Sequence, residues 1–588
     1  MSGESRTVIG GNEGVSRREF VARAAALGVS AASFDALVAS PVGADHLRQS
    51  PNSAPTTGMV VAPQPIAVEV GVETLRRGGN AIDAAIATAF AQMIVTPFSC
   101  GVGGFGCMLV HSAQDGKTTM VDFHARAGSR ASPDVYASAV EGRIYGHADR
   151  WKLRGDINQM GYLAVSTPGT VAGLHEAWKR WGSLPWADLI EPAAQLADEG
   201  FLLVNNLGSG GGESESGVVP FIVKIKATKA SADVYLNNGQ NWRSGETLVQ
   251  RDYAHTLRKI AELGPDVFYR GEITERIVRD FAENGGLITR EDLENYKVDV
   301  HEPVRGTYRG YDIVSNPLPG SGPQVIEILN ILEGYDCGSL EHGKPDYVEL
   351  VARAQILSFI DRRRFHGDPR FLDFDPTEVL LSKERASELR KFVDRRELPP
   401  DVAQGPKEPL DTTTLSSVDA AGNCVALTHT LGSASGTVTS GLGFTYNNCM
   451  FQFVPVPGQP NSIAPGKARI TGISPTIVFR DGRPLLVHGG AGGTRILGAV
   501  QHIINNVIDH EMSVVEAVYA PRWHWEDHVV DLEPRLFYHL RAELESRGLK
   551  LNNGGSFANV QAIMIDPLTR TLSGGSDPGS GTGAVGTS

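Results

Sequence analysis

Asp411-Thr412-Thr413-Thr414-Leu415-Ser416-Ser417-Val418-Asp419 is the stretch at which the chain changes character. Downstream of it, short β-prone runs follow at residues 416–419, 424–431, 476–479, 485–488 and 560–565. Glycine turns such as Ala421-Gly422-Asn423 and Asp481-Gly482 divide them. Thr-Thr-Thr ahead of a strand is usually no more than a β-prone edge. Its chemical reading is sharper. A hydroxyl nucleophile needs a base close by. A cut between Asp411 and Thr412 would supply one, because a free α-amine has a pKa of about 7.7–8.0 and accepts a proton near neutral pH. In the uncut chain, Thr412 Oγ1 could attack the Asp411 carbonyl and form an ester that water then hydrolyses. One residue would then serve self-cleavage first and turnover afterwards.

A second stretch supplies the partner such a nucleophile requires. Val487-His488-Gly489-Gly490-Ala491-Gly492-Gly493-Thr494-Arg495-Ile496 runs from a strand through glycines into a helix. Consecutive glycines let two backbone N–H groups approach a substrate oxygen, as an oxyanion hole demands. A tight strand-to-helix turn without chemistry is the commoner use of the same pair.

Upstream, residues 68–91 read as two helices separated by Gly78-Gly79-Asn80, the second nearly apolar throughout and hence buried. Residues 105–110 and 118–123 answer each other across Gln114-Asp115-Gly116-Lys117 as a hairpin. Helices are predicted over 171–181, 186–199, 253–263, 272–284, 323–333 and 347–365, and residues 208–217 as a glycine-serine loop. Helices layered with antiparallel strands place the chain in the α+β class.

The whole chain has 588 residues, 41% hydrophobic, with net charge −13 and 67 glycines. That is too long and too apolar for a disordered or disulfide-stapled chain. The acidic balance, without a basic block, argues against nucleic acid or an anionic membrane as partner. Cys100, Cys107, Cys337, Cys424 and Cys449 show no zinc-ribbon or redox spacing and read as small buried hydrophobes. His488 and His524 lack ligand spacing, so no metal and no organic cofactor is implied. Ser16-Arg17-Arg18-Glu19-Phe20-Val21, ahead of a mildly apolar segment at 22–39 that Asp35 interrupts, reads as a twin-arginine (Tat) export signal. Residues 1–44 are accordingly a tail and signal, and the mature protein is expected in the periplasm or secreted, or in the cytoplasm if the signal does not function. No later run approaches the ~20 apolar residues of a membrane span.

Several stretches recur in a fixed order: Gly58-Met59-Val60, Gly78-Gly79-Asn80-Ala81-Ile82-Asp83-Ala84-Ala85, Gly103-Gly104-Phe105-Gly106, Thr167-Pro168-Gly169-Thr170 and Gly285-Gly286-Leu287-Ile288-Thr289. Later come Thr412-Thr413, Thr428-His429-Thr430, Asn447-Asn448, Ile473-Ser474-Pro475-Thr476, Gly492-Gly493-Thr494-Arg495 and Ala520-Pro521-Arg522. Together, over residues 57–580, they resemble the gamma-glutamyltransferase (gamma-glutamyltranspeptidase) family of N-terminal-nucleophile hydrolases. The resemblance implies a four-layer αββα sandwich made from one autocleaved precursor. It implies a large fragment, 45–411, that stays paired with a small catalytic fragment, 412–588. Asp411 and Thr412 would flank the cut, Thr412 would be the nucleophile, Thr430 would orient it, and the N–H groups of Gly492 and Gly493 would hold the oxyanion.

The substrate contacts depart from the family pattern. Where the family carries an Arg that grips the γ-glutamyl α-carboxylate, this chain reads Asp122-Phe123-His124-Ala125-Arg126, with His124 at that position and Arg126 two residues on. The family's ammonium-binding Asp is replaced by Gln452, after Asn447-Asn448-Cys449. Paired serines become Thr471-Gly472, and an Asn after the helper threonine becomes Gly432. A neutral amide at 452 leaves a buried ammonium without a counter-charge, which is costly. The expected activity is therefore hydrolysis or acyl transfer on a small-molecule amide whose acyl group lacks the α-amino head, bound among His124, Arg126, Gly432, Asn448, Gln452, Thr471 and Gly472. A true glutathione-cleaving member with rearranged contacts is one alternative; an uncleaved relative without catalysis is another.

Overall fold

Thr413–Asp419 is polar for a strand, yet it is buried along its whole length. A computed structural model of the chain describes residues 58–143, 151–204, 207, 218–397, 399, 412–526, 529–554, 557–577 and 584–588. The hydroxyls of the strand are paired, which removes the penalty for burying them. Thr413 Oγ1 accepts from Gln92 Nε2 at 3.0 Å, and Thr414 Oγ1 donates to Leu427 O at 2.9 Å. Ser416 Oγ donates to Gln561 O at 3.0 Å, and Ser417 Oγ to Ala81 O at 2.6 Å.

Two sheets, seven- and six-stranded, build the core. The strands in chain order are β1 (Gly58–Ala62), β2 (Phe105–Ser112), β3 (Lys117–Phe123), β4 (Asp299–His301), β5 (Val304–Tyr308) and β6 (Tyr311–Ser315). They continue as β7 (Thr413–Asp419), β8 (Cys424–Thr430), β9 (Thr476–Arg480), β10 (Arg483–Ala491), β11 (Asn559–Ile565), β12 (Leu572–Ser576) and β13 (Ala584–Thr587). The first sheet runs β13-β1-β7-β8-β2-β3-β4 and the second β12-β11-β10-β9-β6-β5. Every ladder in both is antiparallel.

The sheets pack face to face, with β7 and β8 against β10, and β1 against β11 and β12. The helices that cover them are α1 (Pro65–Arg76), α2 (Ala81–Val95), α3 (Thr170–Trp181), α4 (Gly322–Leu332), α5 (Pro345–Phe365), α6 (Arg495–Ile508) and α7 (Val514–Tyr519). On the outer face of the first sheet, α1 covers β1 and β13, α2 covers β7 and β8, and α3 covers β3. On the outer face of the second, α4 lies on β5, α6 on β10, and α7 on β12, with α5 packed on α4. The four layers are helix, sheet, sheet, helix.

Local sequence explains the layer that backs the site. Helix α2 starts at Asn80, whose side chain accepts from the N–H groups of Ile82 and Asp83 while Asp83 returns the bond, a capping box. Its residues are mostly small and apolar, so it lies close under β7 and β8, and Gln92 is one of its few polar residues, with Asp83 and Thr88. Gln92 Nε2 reaches Thr413, and Gln92 Oε1 lies 2.9 Å from His429 Nε2. Thr413 and His429 are themselves cross-strand partners. The side chain thus pins the register of β7 on β8.

The predicted helices and the hairpin are present, with ends displaced by a few residues. Three features differ. The Thr412 run is no edge, since β7 lies between β1 and β8 in the middle of its sheet. The helical middle third contains β4, β5 and β6. Beyond Thr412 the chain is not only strands, because α6, α7 and a helix at Pro534–Ser546 lie there. Both sheets draw strands from either side of position 411, and residues 56–588 form one compact unit. All five cysteines are buried and free. Among the described residues no helix is long and apolar enough to cross a membrane. The export signal in 1–44, the loop at 208–217 and Asp411 lie outside the described residues.

Candidate active site

The register Thr413 to His429 and Thr414 to Thr428 brings the first residue of the run, Thr412, beside Thr430 at the end of β8. Thr412 Oγ1 lies 3.2 Å from Thr430 Oγ1. Thr430 Oγ1 also accepts the Gly432 N–H at 2.8 Å, so the strand-to-turn geometry fixes the hydroxyl that meets Thr412. Thr430 is 2% exposed, whereas Thr412 is only half-buried. One hydroxyl is thus held by the fold and the other opens toward a cavity.

That cavity is lined by Thr412, Thr430, Gly432, Asn448, Gln452, Arg469, Thr471, Ile473, Gly493 and Ile496. Gly492 and Gly493 follow β10 with φ of +143° and +63°, values that residues with a Cβ rarely adopt. Gly472 packs on this turn so closely that a Cβ there would stand 2.2 Å from Gly493 O. The loop carrying Thr471 is therefore seated on the glycine turn, with Thr471 N–H donating to Pro319 O at 3.0 Å.

Asn448 contributes shape. Its Oδ1 accepts the Ser433 N–H at 2.9 Å, and its Nδ2 donates to Ser433 Oγ at 2.7 Å and Gln159 O at 3.2 Å. These bonds hold the 431–433 turn against the cavity. Gln452 is 5% exposed and presents an amide where a carboxylate would be needed to pair an ammonium.

His124 and Arg126 stand behind this lining. Arg126 is occupied by two carboxylates, Asp299 Oδ2 at 2.5 Å and Asp368 Oδ2 at 3.5 Å. His124 is 4% exposed, and its ring packs 5.0 Å from the Phe105 ring. Burial, reinforced by the charges of Arg469 and Arg126, holds it well below the ordinary imidazole range, so it is neutral. The structure therefore gathers Thr412, Thr430, Gly432, Asn448, Gln452, Thr471 and Gly493 around one cavity. Gly472 and Gly492 support the turn beside it, and His124 and Arg126 lie outside it.

Two residues were missed from sequence. Gln92 was visible only as one of the few polar residues, with Asp83 and Thr88, of an apolar helix. Arg469 is, among the described residues, the one charged side chain in the lining, yet it sits in a loop, Pro465-Gly466-Lys467-Ala468-Arg469-Ile470, that has no periodicity to mark an inward-facing residue. Among the described residues no group of three or more His, Cys, Asp or Glu could hold a metal ion.

Comparison with known proteins places this geometry. Residues 67–587 match the family model for gamma-glutamyltranspeptidase. The glutathione hydrolase proenzyme of Escherichia coli (strain K12) is 36% identical over 541 residues, covering 89% of this chain and 90% of that protein. The acylase ACY 1 proenzyme of Pseudomonas sp. (strain V22) is 35% identical over 539 residues, covering 91% and 94%. Among solved structures, the cephalosporin acylase from Bacillus halodurans superposes with a TM-score of 0.78 at 29% identity, over 92% of this chain and 98% of that one. The αββα layering is that of the N-terminal-nucleophile hydrolases, and this chain belongs to the gamma-glutamyltranspeptidase family of hydrolases and acyltransferases.

Proposed function

We propose that the chain is a self-processing amide hydrolase or acyltransferase that forms an acyl-enzyme on Thr412 and accepts a small acyl group without an α-amino head. In the precursor, Thr412 Oγ1 attacks the Asp411 carbonyl carbon, and the peptide C–N bond breaks as the C–O bond forms. Water hydrolyses that ester, leaving Asp411 as a carboxylate and Thr412 with a free α-amine. In turnover this amine takes the Oγ1 proton as Oγ1 attacks the substrate carbonyl. The N–H groups of Gly492 and Gly493 stabilise the oxyanion, and the protonated amine donates to the leaving nitrogen. Water, or an acceptor amine, then releases the acyl group.

The lining of the cavity carries this reading. It joins Thr412, Thr430 and Gly493 in one space and, among the described residues, contains no Asp or Glu. An α-ammonium there would meet Gln452 and a guanidinium, and would lack the counter-charge that offsets desolvation. Intact mass after expression should show two fragments, the smaller beginning at Thr412 and running to Ser588. A panel of p-nitroanilides should show γ-glutamyl to be a poor donor beside acyl groups without the amine. Rapid release of glutamate from glutathione would sink the acyl-group assignment. The 36% identity to a glutathione hydrolase proenzyme keeps that second reading alive. A chain that stays in one piece would sink the catalytic assignment altogether. The twin-arginine segment supports export of the folded protein, and R17K/R18K should hold it in the cytoplasm.

A further inference from the structure

Lysine is almost never fully buried unless its head group is paired. Lys224 is 1% exposed, on a short helix at Phe221–Ile225 that buries Phe221 and Ile225 beside it. Its Nζ donates to Ser433 O at 2.7 Å, to Ser433 Oγ at 3.0 Å and to Ala434 O at 2.8 Å. An ammonium has three protons and no lone pair, and here three oxygens of a single turn meet them.

That turn leads directly from Thr430. Gly432, Ala434 and Gly436 within it have φ of +76°, +49° and +74°. The glycines take that conformation freely, whereas the Cβ of Ala434 makes a left-handed backbone unfavourable. A residue stays in such a conformation where its surroundings over-determine it. Lys224 is a large part of those surroundings. The ammonium draws in the carbonyls of Ser433 and Ala434, and a Cβ on Gly436 would stand 2.5 Å from Lys224 Cβ. With two carbonyls turned to the lysine, the Gly432 N–H faces Thr430 Oγ1 and reaches it at 2.8 Å. Thr430 Oγ1 in turn lies 3.2 Å from Thr412 Oγ1. Lys224 precedes the proposed cut and the turn follows it, so this contact joins the two fragments.

We propose that Lys224 is a positioning residue for the reacting hydroxyls. It holds the 432–436 turn in its left-handed form and, through the Gly432 N–H, sets Thr430 and so Thr412 Oγ1. The inference rests on Thr412 being the nucleophile and Thr430 its partner. Lys224 is not among the residues that line the cavity, so it acts on the rate of the chemical step and leaves substrate binding alone. Self-cleavage and turnover use the same pair of hydroxyls and depend on it together.

The test expresses the full chain as wild type, K224M and K224M/A434G. K224M should slow the appearance of the fragment beginning at Thr412, followed by denaturing gel, by at least about tenfold. Once processed, it should have kcat on a p-nitroanilide lowered by at least about tenfold and KM within about threefold of wild type. A434G in the K224M background should restore part of both rates, because glycine holds the left-handed turn without help from the lysine. Because K224M could fail to fold, S433A is the second variant. It keeps the lysine, removes one of its three acceptors, and should lower kcat by at least about threefold with KM unchanged. Wild-type processing and kcat in K224M, or a double variant that recovers nothing, would overturn the assignment. So would an S433A enzyme with wild-type kcat, or one changed in KM alone, which would leave Ser433 merely shaping the cavity with Asn448. Those results, with a wild-type chain that processes normally, sink only the role of Lys224. A wild-type chain without a fragment beginning at Thr412 sinks the catalytic reading beneath it.

Discussion

Two arginines stand close to the Thr412 end of the first sheet, and their surroundings differ. Arg126 follows β3 in the turn where sequence pointed for a substrate clamp, and its charge is met by Asp299 and Asp368. Arg469 lies in a loop with no motif, and among the described residues its guanidinium, which lines the cavity, makes no ion pair. An arginine's value to a substrate depends on whether the protein has already neutralised it, and nearness in sequence to a known motif does not report that. The first is part of the frame; the second lines the cavity beside Thr412.

The largest effect that can be set against this contrast comes from the proposed nucleophile itself. T412A should abolish fragment formation and turnover together, read by denaturing gel and by p-nitroaniline release; cleavage persisting in that variant would point to another nucleophile. Next is R469M, which should lower kcat/KM on the best p-nitroanilide by at least about tenfold, read by p-nitroaniline release. The companion variant R126M should leave kcat/KM within about threefold and instead lower stability. It would strip one cation from Asp368, whose side chain is 2% exposed, while Arg370 and the Ala468 N–H still support it. A loss of about 1–3 kcal/mol, read from the urea midpoint, is expected. An equal fall in kcat/KM in R126M would erase the distinction between the two arginines.

The smallest effect probes the ring between them. His124 is held neutral by burial and then by both guanidiniums. In the unfolded chain that ring takes up a proton below about pH 6.5, whereas in the folded chain it does so only at lower pH. The unfolded state then binds more protons, so stability falls as the pH drops below about 6.5, by at most about 1.4 kcal/mol per pH unit for one ring. His429 and His488, each pushed down to about 3 by burial, add to the same slope. H124Q should flatten it by no more than the contribution of one ring, seen in urea midpoints between pH 7 and pH 5. An unchanged slope would show that His124 is not held neutral by its position.

Much of the frame was legible because the relevant signals are local. Gly78-Gly79-Asn80 ends one helix and caps the next, and Asp115-Gly116 turns the β2–β3 hairpin. The β5–β6 hairpin was missed for an equally local reason. Its turn uses Arg309 and Gly310, both at positive φ, where the expected signal is Asn-Gly or Asp-Gly. Strand β7 hid its central place because burial on both faces, with hydroxyls paired on each, erases the apolar alternation that marks a half-buried strand. In the cavity, Thr412 and the glycine turn stand in motifs the chain itself displays, and Thr430 follows from the family resemblance. Arg469 could not be placed, because its position depends on where Phe105 and Thr430 come to lie.

The interleaving of the sheets has a consequence for how the molecule persists. Strand β7 takes one neighbour, β1, from before residue 411 and the other, β8, from after it. A cut ahead of Thr412 would leave these ladders intact while changing the molecularity of refolding. A single chain regains the sheet by closing its own loops, at a cost that grows only slowly with loop length. Two separate chains must first find each other, and at high dilution that encounter loses to aggregation or proteolysis. The processed protein would then endure by unfolding slowly, and its lifetime at a given temperature, set by that rate, is the proper measure of its stability.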